Sequence, residues 1–303
     1  MSNNNNNNDS TFVTAQTFWD GASSLIAKTE QHPFLVSMVD GTLEEDNFKY
    51  YVVQDALYLK DFADCLRRVA AKAPTVEDAA RLVDFARGAE ECELELHNSF
   101  FEQWNINTDD SSSSSIAEEE AKQMPNCLLY TSYMKRVVAT ESYAQGLAVL
   151  LPCFWVYMHV GHVMLRLRKD LDENDNNNDD NNDDETSTEP TTTRQQQRKR
   201  KPQYDAWIDM YAGDEFEKEV KDFIAMVNAE CERLQKDTTS TSTSTTVDKE
   251  EKESNSNDNN DKDTDTSTAQ QALKRMQHHF TMGCKLEHMF WDQASTMMQW
   301  PEF

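Results

Sequence analysis

Apolar side chains recur every three to four residues along most of this chain, the repeat of helices that each bury one stripe. Thr11–Thr29 reads as a first helix, with Phe12, Phe18, Trp19, Leu25 and Ile26 on its apolar side. His32-Pro33 breaks it, and a short helix over Leu35–Asp40 ends at Gly41. Thr42 followed three residues later by Glu45 has the form of a capping box. It opens a long helix through Phe48, Tyr51, Asp55, Tyr58 and Phe62 to about Ala73. Val76–Trp104 is a further long helix, and Leu128–Ala139 with Ser142–Arg168 makes a helical hairpin. Tyr204–Tyr211, Glu215–Gln235 and Ala269–Met298 complete the set. Alternating β-type runs are scarce, so the expected fold is all-α: one bundle of about seven or eight helices spanning residues 11–303.

Three stretches break this pattern. The Asn-rich tail at 1–10, the tract Asp170–Pro202 and the tract Asp237–Thr268 are Asn, Asp, Ser and Thr with almost no apolar residues. They cannot bury enough surface to offset chain ordering, and they are expected to be disordered. A shorter polar loop is expected at 105–118. Long inserts between helices are tolerated because closure entropy grows slowly with length. The 303 residues therefore reduce to one domain of a little over two hundred.

The net charge of −26 comes partly from these inserts. One carries ten acids against five bases and the other nine against three, so about −15 remains on the bundle. An acidic bundle argues against nucleic acid as a partner. The one basic cluster, Arg198–Lys201, sits beside an acidic run and is expected to be a solvated charge block. The six cysteines, at 65, 92, 127, 153, 231 and 284, contain no CxxC pair. The N-terminus lacks the basic and apolar regions of a leader, and no unbroken apolar run reaches membrane-spanning length. The expectation is a reducing, cytoplasmic setting with free thiols and no membrane.

One cysteine has an unusual setting. In "LLPCFWVY" (150–157) a proline falls inside an apolar helical run, Cys153 follows it, and Tyr157 lies one turn further on the same face. A thiol at the start of a helical segment beyond such a break would feel a positive helix end, which favours the thiolate. The remaining cysteines read as small buried hydrophobes. Asp55, Tyr58 and Phe62 share one face, and an aspartate on an apolar stripe must be paired or bound. Glu287 stands one turn before Phe290 and Trp291. A thiol, two carboxylates and several tyrosines facing one bundle interior would form an aromatic pocket with a nucleophile and a proton donor.

These residues resemble the TenA family, also called thiaminase II or aminopyrimidine aminohydrolase. The matching stretches are "HPFLVSMVDGTLEEDNFKYYVVQDALYLKDFA" (32–63), "YTSYM" (130–134), "LLPCFWVY" (150–157), "YDAWIDMYAGDEF" (204–216) and "LEHMFW" (286–291), in that order. The resemblance implies a bundle like that of haem oxygenase. It implies hydrolysis of 4-amino-5-aminomethyl-2-methylpyrimidine to the hydroxymethyl compound and ammonia, and of thiamin to hydroxymethylpyrimidine and thiazole. Cys153 falls on the family's nucleophile and Glu287 on its acid/base. Asp55 falls on the aspartate that holds the ring nitrogen and amine. Tyr130, Tyr157 and Tyr211 fall on pocket tyrosines, with Tyr58 and Phe62 on the same wall. No metal and no organic cofactor is implied, the small-molecule partner is an aminopyrimidine or thiamin, and a homotetramer is expected. His159 departs from the family's usual glutamate; six residues past Cys153 and off its face, it is expected to act only indirectly.

Two other readings use the same residues. Glu93 and His97, at i and i+4, could share a metal in an oxygenase of this fold. A bundle that had lost catalysis could bind a thiamin-like ligand, although the presence of both Cys153 and Glu287 weighs against this.

Overall fold

A computed structural model describes residues 12–103, 122–179, 200–242 and 268–302. The tail at 1–10 and the loop at 105–118 lie outside these residues. Among the described residues there are nine helices and no strand: α1 Ala15–Thr29, α2 Pro33–Val39, α3 Glu45–Ala70, α4 Val76–Gln103, α5 Pro125–Thr140, α6 Tyr143–Asp179, α7 Pro202–Tyr211, α8 Asp214–Ser242 and α9 Thr268–Thr296. This is the all-α bundle that the three-to-four spacing predicts. Its core is built from large side chains, among them Phe18, Phe34, Phe48, Tyr51 and Trp291, each almost wholly removed from water. Burial on this scale stabilises by about 1.5–3 kcal/mol per large apolar side chain.

Several boundaries differ from the pattern. The first helix starts at Ala15, so Phe12 precedes it and is exposed. Thr17 Oγ1 accepts the Thr14 N–H there and satisfies one of the free donors of the first turn. The capping box of Thr42 and Glu45 does not form. Asp40 takes both the N–H and the hydroxyl of Thr42 through Oδ1, at 2.9 and 2.5 Å, and α3 begins after Glu44. An aspartate two residues upstream competes well for these donors because the turn brings it there locally. The fifth helix starts at Pro125, so Leu128 and Leu129 fall on its outer side and are exposed.

The largest departure concerns the inserts. Helix α6 runs through Pro152 and on to Asp179, α8 continues to Ser242, and α9 begins at Thr268. Residues at 170–179, 200–202, 237–242 and 268 are thus ordered backbone inside the tracts expected to be disordered; the remainder of both tracts lies outside the described residues. The reason is partly electrostatic. Arg200 donates to Asp172, to Asp205 and to the Val39 carbonyl, and Lys201 reaches Glu45 at 2.6 Å. These two members of the basic cluster are therefore anchors at the start of α7 and not a solvated block. Arg198 and Lys199 lie outside the described residues.

Helix α6 also corrects the membrane reading. Tyr143–Asn174 contains a window with a mean hydropathy of 1.6, enough by length and composition for a span, although no unbroken apolar run signals it. Of that window, 72% is buried inside the bundle, where α6 contacts α3, α5, α7, α8 and α9. A central helix surrounded by other helices is apolar on all sides for that reason.

Two glycines set helix spacing at the site. A Cβ on Gly283 of α9 would lie 2.5 Å from Pro152 Cγ, so α9 passes directly over the turn that carries Cys153. A Cβ on Gly161 of α6 would lie 2.6 Å from the carbonyl carbon of Tyr211, so the end of α7 rests on the α6 backbone. Gly161→Ala is expected to lower stability by about 1–3 kcal/mol through this overlap and to weaken ligand binding by displacing Tyr211. Denaturant unfolding and a ligand titration read the two effects.

Candidate active site

A cavity opens between α3, α4, α6, α7 and α8. Helix α3 contributes Asp55, Leu59 and Phe62 to its wall; α6 contributes Cys153, Phe154 and Tyr157; α7 contributes Met210 and Tyr211. Phe85, Gly88 and Ala89 of α4 and Phe216 and Glu219 of α8 complete it. Cys153 is half-buried and faces this space, unlike Cys65, Cys127, Cys231 and Cys284, which are buried. Burial raises all four of those thiols, Cys65 to about 12, so they are inert at neutral pH. Cys92 lies outside the described side chains.

The periodicity of α3 explains its contribution. Tyr51, Asp55, Tyr58 and Phe62 lie on one stripe, and all are buried. Phe62 reaches the cavity and Tyr58 stacks behind it, the rings 5.7 Å apart and inclined by 20°. Tyr51 sits beneath Tyr157: its hydroxyl donates to the Tyr157 hydroxyl at 3.3 Å and accepts from Trp207 Nε1 at 3.3 Å. Tyr157 in turn lies 4.8 Å from the Tyr211 ring and 5.2 Å from Trp291. The pocket tyrosines are thereby fixed by ring packing and a hydroxyl chain.

A second layer stands behind the cavity wall. Tyr130 of α5 donates its hydroxyl to Glu287 Oε1 of α9 at 2.6 Å, both residues being fully buried. Burial pushes the Glu287 carboxyl up to about 8, with the nearby Asp55 charge adding to the rise and the Tyr130 hydrogen bond opposing it. Glu287 therefore carries a proton at neutral pH. Tyr58 and Tyr130 are held well above the usual phenol range, first by burial; the charges of both Cys153 and Glu287 add to this. The two tyrosines adjoin each other, their rings 4.9 Å apart, and Tyr130 touches the acid.

Of the eight sequence-predicted residues, Asp55, Phe62, Cys153, Tyr157 and Tyr211 line the cavity, while Tyr58, Tyr130 and Glu287 form the layer behind it. One part of the sequence reading is corrected. Pro152 lies inside one helix, as expected, but opens no new helix end: α6 is continuous from Tyr143, and Cys153 sits well inside it, away from any helix N-terminus. A proline is accommodated because neighbouring helices pack over the turn, Gly283 most closely. The macrodipole therefore gives this thiol no special help. Among the described residues that line the cavity, the charged ones are both acidic, Asp55 and Glu219.

Residues not anticipated include Tyr51, Phe85, Phe154, Met210, Phe216 and Glu219. Tyr51 was signalled by its place one turn before Asp55, and Phe216 by its place in the 204–216 motif. Glu219 had no signal, being one acid in the mixed run "DEFEKEVKD" of a surface helix. His159 stays outside the cavity, with Nε2 2.6 Å from Glu30 Oε1 and its ring edge-on to Trp19.

The side chains of Glu93 and His97 lie outside the described residues. His32, His288 and Asp292 place ligand atoms within 4.8 Å of one another. His32 Nδ1, however, accepts the Phe34 N–H at 3.1 Å. A neutral His32 then keeps its proton on Nε2, which faces Asp292 at 3.2 Å, and has no lone pair there to give a metal.

The fold and site define a haem-oxygenase-like helical bundle with a half-buried thiol in an aromatic, acidic cavity. The sequence matches the TENA/THI-4/PQQC family over residues 19–255, and the chain belongs to that family. It is similar to the aminopyrimidine aminohydrolase of Bacillus subtilis, 32% identical over 213 residues that cover 69% of this chain and 70% of that protein. The aminopyrimidine aminohydrolase of Halalkalibacterium halodurans is 26% identical, with 74% of this chain and 82% of that protein covered. A TenA homologue from P. horikoshii superposes with a TM-score of 0.63 at 18% identity, covering 93% of this chain and 98% of that one. Within the family the chain is a hydrolase of the TenA type. The family match ends before α9, so Glu287 rests on its own geometry.

Proposed function

We propose that this chain hydrolyses 4-amino-5-aminomethyl-2-methylpyrimidine to its 5-hydroxymethyl counterpart and ammonia, a step of thiamin salvage, and that it splits thiamin in the same way. The observation that carries this reading is that Cys153 and Asp55 line one aromatic-walled cavity, backed by a protonated Glu287. The names borne by its relatives agree with it.

The reaction requires the amine to leave a methylene on a neutral heteroarene, which it does not do unaided. Asp55 holds the ring through a nitrogen and the exocyclic amine. The Cys153 sulfur adds to C6 while its proton passes to the ring nitrogen, a net addition of S–H across N and C6. This route suits a thiol among carboxylates better than a preformed thiolate, because the acidic surroundings of the cavity oppose a second anion. The arm enters as its ammonium ion and gives its extra proton to solvent before the ring step. With aromaticity lost, the ring electron pair moves toward the methylene, and the neutral amine departs with a proton from Glu287. Glu287, now anionic, takes a proton from water as the water oxygen attacks the exocyclic methylene. The C–S bond breaks, the ring proton returns to sulfur, and the ring is restored. Water plus amine has become alcohol plus ammonia. General acid–base steps of this kind contribute ~10²–10⁴-fold, and the covalent adduct divides one barrier into two.

Incubation with the aminomethylpyrimidine and detection of the hydroxymethyl product tests the reading; tight binding without product would instead leave a ligand-binding module. Asp55→Ala is expected to weaken ligand binding by ~10-fold or more and to lower kcat as well, since it removes a charge-assisted contact. A change in stability alone would reduce Asp55 to a core acid. We further propose a homotetramer in a reducing cytoplasm. That the described cysteines form no disulfide supports the compartment, and the exposed apolar side chains Val53, Leu128, Leu129 and Trp300 support the assembly. Light scattering reads the latter.

A further inference from the structure

Glu219 has no place in the steps above, yet it lines the same cavity as Cys153. Its Oε1 lies over Gly88, 3.8 Å from where a Cβ would stand, so the carboxylate leans across the gap between α8 and α4. It is solvent-exposed, which places it at the mouth, whereas Asp55 is buried at the inner wall. The neighbouring acids on α8 are drawn toward lysines: Asp222 pairs with Lys218 at 3.1 Å and Glu217 with Lys221 at 2.6 Å. Among the described residues Glu219 makes no ion pair. Partial burial holds its carboxyl above the ordinary range, the Lys218 charge opposes this, and the charges of Glu215, Asp222 and Glu91 add to it. The mouth is therefore anionic, and its potential is focused by apolar walls of Phe85, Met210 and Phe216.

We propose that Glu219 is a specificity-determining residue that selects ligands carrying positive charge on the arm of the pyrimidine, drawing in the cationic substrate and letting the uncharged alcohol go. This rests on the aminopyrimidine reading. It explains why a cavity already holding one carboxylate for the ring should carry a second at its opening. An aminomethyl arm is protonated at neutral pH and a thiazolium is permanently charged, whereas the hydroxymethyl product is neutral. The same field then favours substrate over product by charge alone, without a shape difference of more than one heavy atom.

The experiment uses the full chain in a Cys153→Ser background, so that substrate is bound without turnover. Dissociation constants of the aminomethyl and hydroxymethyl pyrimidines are compared, with and without Glu219→Gln, at low and high salt. The expected result is a roughly 3–10-fold loss of affinity for the aminomethyl compound in the glutamine variant, a flattened salt dependence, and no change for the hydroxymethyl compound. Equal losses for both compounds would make Glu219 a shape contact and overturn the proposal, as would no loss for either. Turnover by the Cys153-bearing chain is measured separately. Charge-dependent binding without turnover would remove the hydrolase reading and leave the selection by Glu219 standing. Turnover with no charge preference would do the reverse.

Discussion

Cys153→Ser is expected to reduce turnover to below about one-thousandth of wild type. The hydroxyl is close to the thiol in size but is a far poorer nucleophile toward an aromatic carbon. Cys153 is only half-buried in α6 and packs at the cavity edge, so the change leaves no void in the core. Ligand affinity should stay within a few-fold of wild type and the melting temperature within a few degrees. Single-turnover kinetics with the aminomethylpyrimidine, together with calorimetric unfolding, read these quantities. A serine variant that keeps wild-type rates would end the covalent mechanism. A variant that loses rate and stability together would make Cys153 a packing residue.

Glu287→Gln is expected to have two effects of opposite benefit. Turnover should fall by ~10²–10⁴-fold, because the amide cannot supply a proton to the leaving amine. Stability at alkaline pH should rise. The folded carboxyl titrates at about 8 because it is buried, against 4.5 for the ordinary group. Between those values the folded chain holds a proton that the unfolded chain has released. Its contribution to stability is present in full below about pH 4.5 and is lost as pH rises through about 8. Each unit of such a shift corresponds to about 1.4 kcal/mol, so the glutamine variant should exceed wild type by roughly 2–4 kcal/mol at pH 9 and match it near pH 4. The amide oxygen can still accept the Tyr130 hydrogen bond, which preserves the packing of α5 on α9. Denaturant unfolding across pH reads the stability, and the wild-type rate should itself decline as pH rises through about 8. Equal stability of the two proteins from pH 4 to pH 9 would mean that the folded carboxyl titrates near its ordinary value.

The tyrosine layer connects these two residues. Tyr130 holds Glu287 directly and Tyr58 lies against Tyr130. In the proposed reaction one aromatic wall thus adjoins both proton donor and nucleophile, and it supplies the low-polarity surroundings that keep the acid protonated. Placement of this kind needs no mobile element.

The sequence by itself determined the helical class, the order of the helices and the residues on the working face of α3. Apolar spacing is a local property of each segment, and it records directly which side of a helix turns inward. It also determined that Cys153 and Tyr157 share a face, since one turn of helix separates them. It did not reveal how far the helices extend into the polar tracts. Ordering of Arg200 depends on Asp172, Asp205 and the Val39 carbonyl, which come from three other parts of the chain. Nor did it reveal what packs over the Pro152 turn, because that is Gly283 of a helix more than a hundred residues away. The split between cavity-lining residues and those behind them, and the place of Glu219 at the mouth, were decided only when α4, α6 and α8 came together. Burial of Glu287, and with it the proton it keeps, is likewise set by the side chains that surround it and not by those next to it in sequence.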